Sequence, residues 1–286
     1  MAVLDEKALR SLVRLLDDED PKSLDLVRRH ILDVGDPILP YLEELRGEQD
    51  PDLAAKADSI SRELRFRQLR EDFTALARAP EPDLETGAFL VARFAYPGLD
   101  PEPYVTWLDR VAAKIEQDLP PEADLLATFQ QLNLFLFQAL NFSGNQKHYY
   151  DPDNSYLNRV IETRRGIPVT LSVLYLLLAK RLRLPVYGVA TPGHFLVALR
   201  SGAHSCFIDT FHRGRLMDLS DVRRMLIRSG YEFRPEFVAR CSSRDIIIRM
   251  MRNLISVYEK AGSPERAERL GSLVEILLMR GKKRVA

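Results

Sequence analysis

Two residues of this 286-residue chain have the types and the spacing to act as one chemical unit, His194 and Asp209. They lie in neighbouring runs rich in β-branched and aromatic residues, His-Phe-Leu-Val-Ala-Leu and Ser-Cys-Phe-Ile-Asp-Thr-Phe, parted by Arg200, Ser201, Gly202, Ala203 and His204. Runs of this kind around a glycine predict an antiparallel hairpin. With Ser201-Gly202 as a two-residue turn, the glycine supplying positive φ, His194 stands directly across from Asp209. Side chains so opposed point to one side of the sheet with Cβ atoms about 4.5–5.5 Å apart. An imidazole and a carboxylate held that way form a base and its orienter, the carboxylate fixing the tautomer and supporting the imidazolium. The plainer reading of the spacing is a structural hydrogen bond that closes the hairpin. Phe195, Val197, Leu199, Cys206 and Ile208 alternate to the opposite, apolar face, which supports the register.

Other candidates for chemistry are sparser. His148, His194, Asp209 and His212 are the residues able to ligate a metal, but their spacing matches no ligand signature, so His148 and His212 read as solvated surface histidines and no metal is expected. His30 and His204 also read as surface residues. Arg164 and Arg165, with Asp151, Asp153 and Asn154 close in sequence, form either a loop that caps itself or a groove that recognises a peptide or small carboxylate. Cys206 and Cys241 are too few for a disulfide framework.

Composition bounds the partners. Lys plus Arg and Asp plus Glu both number 41, so no long-range basic field draws phosphate backbones or anionic lipid. Neither nucleic acid nor membrane is an expected partner. The basic run Lys282-Lys283-Arg284 reads as a solvated tail. The start of the sequence lacks a basic segment followed by an apolar core, and the longest apolar stretch, near Leu171 to Ala179, is far shorter than the roughly 20 residues a membrane helix needs. A cytoplasmic protein is expected, soluble and globular with 46% apolar residues.

The elements that must position the pair follow from periodicity. Leu9, Leu12, Val13 and Leu16, then Leu24, Val27, Ile31 and Leu32, then Leu39 and Leu42 predict three short amphipathic helices, similar to a HEAT-type helical pair. A charged helix is predicted from about Asp52 to Leu76, and a loop over Ala77 to Asp83. Helices follow over Leu84 to Tyr96, Pro101 to Gln117 and Ala123 to Leu140. The last is apolar nearly all round and is expected to be a buried core helix. A further buried helix starts near Pro168 and feeds an antiparallel sheet. Leu254, Tyr258, Gly262 and Ala267 have the spacing of a tetratricopeptide helix pair, with Ser263-Pro264 opening its second helix. The expected divisions are a helical region over 1–80, a core domain over 81–220 centred on 141–218, and a C-terminal helical region over 221–286.

The stretch from Tyr149 to Asp218, with Asn154, Arg164-Arg165-Gly166-Ile167-Pro168, Pro192-Gly193-His194-Phe195 and Ile208-Asp209, strongly resembles the bacterial transglutaminase-like family of the SirB type. The likeness extends over roughly residues 85–280. It implies an α+β fold, mostly helical, with a papain-like core of one buried helix on a small antiparallel sheet. It also implies a Cys-His-Asp triad whose nucleophile opens the core helix in a Gly-x-Cys phrase. Here that phrase is Gly166-Ile167-Pro168: histidine and aspartate match at His194 and Asp209, and the sulfur is missing. A cysteine benefits at a helix start from free N–H groups and the positive dipole end. Proline suits the same place by forfeiting an N–H that had no partner. Thr170 and Ser172, two and four positions on, are the nearest hydroxyls, and Cys206 projects from the far face of its strand.

These residues imply a non-catalytic transglutaminase-like module that binds a protein or peptide. The binding set would be Asn154, Arg164, Arg165, Thr170, His194 and Asp209, with no cofactor. The alternative is a hydrolase or transferase in which His194, polarised by Asp209, acts as general base without a cysteine. That alternative expects an open, partly polar cleft at the start of the Pro168 helix.

Overall fold

In a computed structural model, residues 5–45, 50–201 and 204–281 are described. Met1 to Leu4, the hairpin-turn Gly202 and the basic run Lys282-Lys283-Arg284 lie outside the described residues, as does the side chain of His204. The protein divides into two compact units, residues 1–72 and 73–286.

The first unit holds α1 (Glu6–Arg14), α2 (Pro21–Val34), α3 (Leu39–Leu45) and most of α4 (Pro51–Leu76). Asp5 and Asp20 cap α1 and α2 by accepting the N–H groups of Ala8 and Ser23, and Pro21 opens α2 where its missing N–H costs nothing. Leu9, Val13, Leu16, Ile31, Leu42, Leu53 and Leu64 meet in one apolar core. The helical periodicity therefore reports the packed face correctly.

The second unit is α+β and mostly helical. It begins with α5 (Leu84–Arg93), α6 (Glu102–Gln117) and α7 (Leu125–Leu134), the last running into a π-helical turn over Phe135–Ala139. α7 is not the buried helix its composition suggests: Phe129 and Leu132 are buried, while Leu125 is 57%, Leu126 55% and Leu134 46% exposed. Apolar residues at its start fall outside any contact that would cover them. The buried helix is α9 (Pro168–Arg181), where every residue from Pro168 to Ala179 is buried. Between them lie α8 (Leu157–Thr163) and two two-residue strands, β1 (Ser143–Gly144) and β2 (Arg165–Gly166), paired in parallel.

The main sheet is antiparallel, in the order β3 (Val186–Val189), β4 (Leu196–Ser201), β5 (His204–Asp209), β6 (Arg215–Met217). Val189, Leu196, Ala198, Phe207 and Met217 bury one face against Val222 and Leu226 of α10 (Leu219–Arg228). α11 (Ser243–Lys260) and α12 (Pro264–Gly281) pack on each other, with Leu254, Tyr258 and Ala267 buried and Gly262 in the turn at φ +69. A reciprocal box formed by Ser242 and Asp245 caps the start of α11.

The hairpin register differs from the expected one. Ser201 pairs with His204 and Val197 with Ile208, so Asp209 lies level with Leu196 rather than with His194. The slip is two residues, and because side chains alternate with period two, both faces keep their residues. His194 becomes a diagonal neighbour of Asp209, still within reach of a long side chain.

Candidate functional site

Gly193 places the histidine. Its φ of +71 is one that side-chain-bearing residues rarely adopt, and the turn is closed by the His194 N–H bonding the Thr191 carbonyl at 3.2 Å. His194 is thereby delivered just ahead of β4 with Nε2 3.0 Å from Asp209 Oδ1. Asp209, at the end of β5, has a side chain only 5% exposed.

The aspartate serves a second histidine. His212 Nδ1 lies 2.7 Å from Asp209 Oδ2, and the His212 main-chain N–H donates to Oδ1 at 3.2 Å. Burial works to raise the Asp209 carboxyl, but the hydrogen bonds and charges of His194 and His212 outweigh it and hold the group below the ordinary aspartate range. His212 is exposed, as read from the sequence, yet it is tied to the pair. One nitrogen from each ring and a carboxylate oxygen all lie within 4.8 Å of one another, so His194, Asp209 and His212 have the composition and spacing to share one cation. In the present arrangement the same nitrogens face the carboxylate as hydrogen-bond donors. His148 is not part of this cluster.

Phe211 braces the network. Its ring meets His194 edge-on at 6.2 Å between centroids, His212 at 5.2 Å and Tyr149 at 5.9 Å. The Gly144 N–H donates to the Phe211 carbonyl at 2.9 Å, and a Cβ on Gly144 would fall 2.3 Å from the Phe211 ring. Only glycine lets β1 approach this closely.

With Nε2 turned to Asp209, the other ring nitrogen of His194 has no hydrogen-bond partner among the described residues. His194 lines a cavity of about 230 Å³ at the start of α9, together with Tyr149, Pro168, Arg249, Asn253 and Lys260. α9 opens on Pro168 with no side-chain cap, so the positive end of its dipole borders the same space.

The other sequence-nominated residues do not line this cavity. Thr170 and Ser172 are completely buried, and Ser172 Oγ bonds the Thr210 hydroxyl at 2.9 Å. Asn154 is buried and bonds the His148 and Tyr149 carbonyls and the Asn145 side chain. Asp151 caps the turn that follows it, and Asp153 pairs with Arg159. Arg165 donates to the Asn141 and Arg164 carbonyls, while Arg164 is exposed at φ +60. Burial pushes up both thiols, Cys206 and Cys241, and neither borders the cavity.

What the sequence reading missed is the wall supplied by α11. Arg249, Asn253, Ser256 and Lys260 recur at i, i+4, i+7 and i+11 and all line the cavity, while Met250, Met251, Leu254, Val257 and Tyr258 are buried. A polar stripe on an otherwise apolar helix was the available signal.

A buried helix that opens beside a histidine–aspartate pair on an antiparallel sheet is the arrangement of transglutaminase-like proteins. The sequence profile of the transglutaminase-like superfamily matches residues 102–252, and the protein belongs to that superfamily. Among its relatives is a UPF0162 protein of Xylella fastidiosa, 36% identical over 192 residues that cover 65% of this sequence and 68% of that one. Another, from Vibrio cholerae, is 31% identical over 162 residues, covering 55% and 56%. The human F-box only protein 21 is 27% identical over 155 residues, which are 51% of this sequence but 24% of the longer human one. No solved structure matches the protein. Among the described residues, no helix is long and apolar enough to cross a membrane.

Proposed function

We propose that this protein is a non-catalytic transglutaminase-like module, of the SirB type, that binds a protein or peptide segment in the cavity at the start of α9. Pro168 stands where the superfamily's nucleophile would, and His194, held by Asp209, persists as part of the binding wall. The observation that carries the reading is the unpartnered ring nitrogen of His194. A working nucleophile is hydrogen-bonded to its base, and no thiol or hydroxyl bonds this nitrogen among the described residues. Among the described residues, Ser256 is the one aliphatic hydroxyl in the cavity lining, and no hydrogen bond joins it to His194.

The alternative, a hydrolase or transferase with His194 as general base, is favoured by one feature: His194 lines a cavity able to admit a water or substrate hydroxyl. Acyl-transfer, esterase and peptidase assays on wild type and His194→Ala separate the two. The binding reading expects no turnover above the His194→Ala background. Turnover that disappears with His194 would establish the alternative.

A further inference from the structure

We propose that the ligand of this cavity carries a carboxylate, gripped by Arg249 and approached by Lys260, Asn253 and Ser256; the inference rests on the binding reading above and names the chemistry it requires.

Arg249 is part-buried, and its Nε is shut off from solvent with no hydrogen-bond partner. No ion pair or other hydrogen bond engages its guanidinium among the described residues. Guanidinium groups in such places are ordinarily paired, because removing a charge from water without a counter-charge is unfavourable. The carboxylates on adjoining elements are already engaged. Asp245, one turn earlier on α11, bonds the Ser242 backbone and hydroxyl, and Asp209 is held between His194 and His212. Among the described residues, no aspartate or glutamate lines the cavity.

Lys260 repeats the pattern one end further along the stripe. Its ammonium sits 3.9 Å from the centroid of the Tyr150 ring and has no carboxylate partner among the described residues. Asn253 and Ser256, between the two cations, also have no protein partner there. The cavity thus presents two cations, an amide, a hydroxyl and the uncapped start of α9, all able to donate. An anion is the complement of such a set.

The apolar part of the lining selects among anions. Ile167, Val169, Phe195 and Val257 share the cavity with the donors, and Pro168 removes one of the backbone N–H groups that a phosphate-cradling helix start presents. A planar carboxylate matches one guanidinium fork and leaves its organic body against apolar walls. The chemistry has two sources in a peptide: its C-terminal carboxylate or a glutamate side chain.

Calorimetric titration of the full-length protein at low salt tests this with four probes: N-acetylphenylalanine, N-acetylphenylalaninamide, N-acetyl-phenylalanyl-glutamine with its C-terminus amidated, and the same amide with glutamate replacing glutamine. A carboxylate probe is expected to bind about tenfold or more tightly than its neutral counterpart and to lose that advantage in Arg249→Met. Tighter binding of N-acetylphenylalanine assigns the site to a peptide's C-terminus, and tighter binding of the glutamyl amide assigns it to a glutamate side group. Thermal melting of Arg249→Met, with Lys260→Met as a second variant, separates lost binding from lost folding. Equal binding of charged and neutral probes overturns the carboxylate while leaving a binding cavity in place. So does an advantage that survives Arg249→Met, binding of no probe, or a preference for inorganic phosphate added as a competitor. Consumption of a probe that stops in His194→Ala overturns the binding reading itself.

Discussion

The two sides of the cavity carry polar groups in opposite conditions, the histidine–aspartate cluster of the sheet side reaching the lining through His194. On the sheet side, both oxygens of Asp209 are engaged by His194 and His212, and Phe211 holds the rings in place. On the α11 side, Arg249, Asn253 and Ser256 have no protein partner among the described residues, and Lys260 has only an aromatic face. The first wall completes itself. Under the carboxylate proposal a ligand completes the second. Loss of a residue from the self-contained wall should therefore register in stability, and loss of a residue from the open wall in binding.

The largest effect is expected at Asp209. Asp209→Ala leaves two imidazoles without their acceptor in a site where the aspartate is almost fully buried, and unfolding in urea should show a loss of about 3 kcal/mol. A loss within about 0.5 kcal/mol would mean that the sheet-side wall is not self-stabilising. Next comes Gly144→Ala. Its Cβ would meet the Phe211 ring, and the forced shift should cost about 2 kcal/mol and disturb the brace behind both histidines. Third is Arg249→Met, with about a tenfold loss of carboxylate affinity, or about 1.4 kcal/mol, and an unfolding midpoint equal to wild type or higher. A large loss of stability there would erase the contrast between the walls.

The legible part of the site was the part written in local sequence. The types of His194 and Asp209 and the alternation around them placed both on one side of a hairpin, and period-two geometry protected that inference from an error of two residues in register. Pro168 at the first position of α9 was equally readable, because a helix start tolerates proline for a local reason. The mistaken burial of α7 has the opposite origin. Its composition is apolar, but whether Leu125, Leu126 and Leu134 are covered depends on which elements reach them. The tie of His212 to Asp209 and the α11 stripe were missed for a related reason. The histidine joins the network through a tight turn after β5, and the stripe residues lie far from His194 in sequence, brought to it only by the packing of α11. The nominated arginines of the loop, Arg164 and Arg165, had ordinary local duties open to them: Arg165 bonds backbone carbonyls, and Arg164 takes the left-handed position that ends α8.

The smallest expected effect is in pH. Because the Asp209 carboxyl is held below its unfolded value of 3.8, its ionisation contributes stability that is present above that pH and lost as pH falls through the lower folded value. Melting curves between about pH 2 and 7 should show wild type losing stability more steeply than Asp209→Asn below about pH 4. Parallel curves would remove the charge contribution of the two histidines.

One titration tests the central claim directly. Nuclear magnetic resonance of isotope-labelled protein can follow the Arg249 Nε–H and the His194 ring nitrogens while the glutamyl dipeptide amide is added, with the peptide's own signals read in the same sample. The account predicts that the Arg249 resonance moves saturably and the peptide stays intact over days. A peptide that is consumed in wild type and preserved in His194→Ala would contradict it.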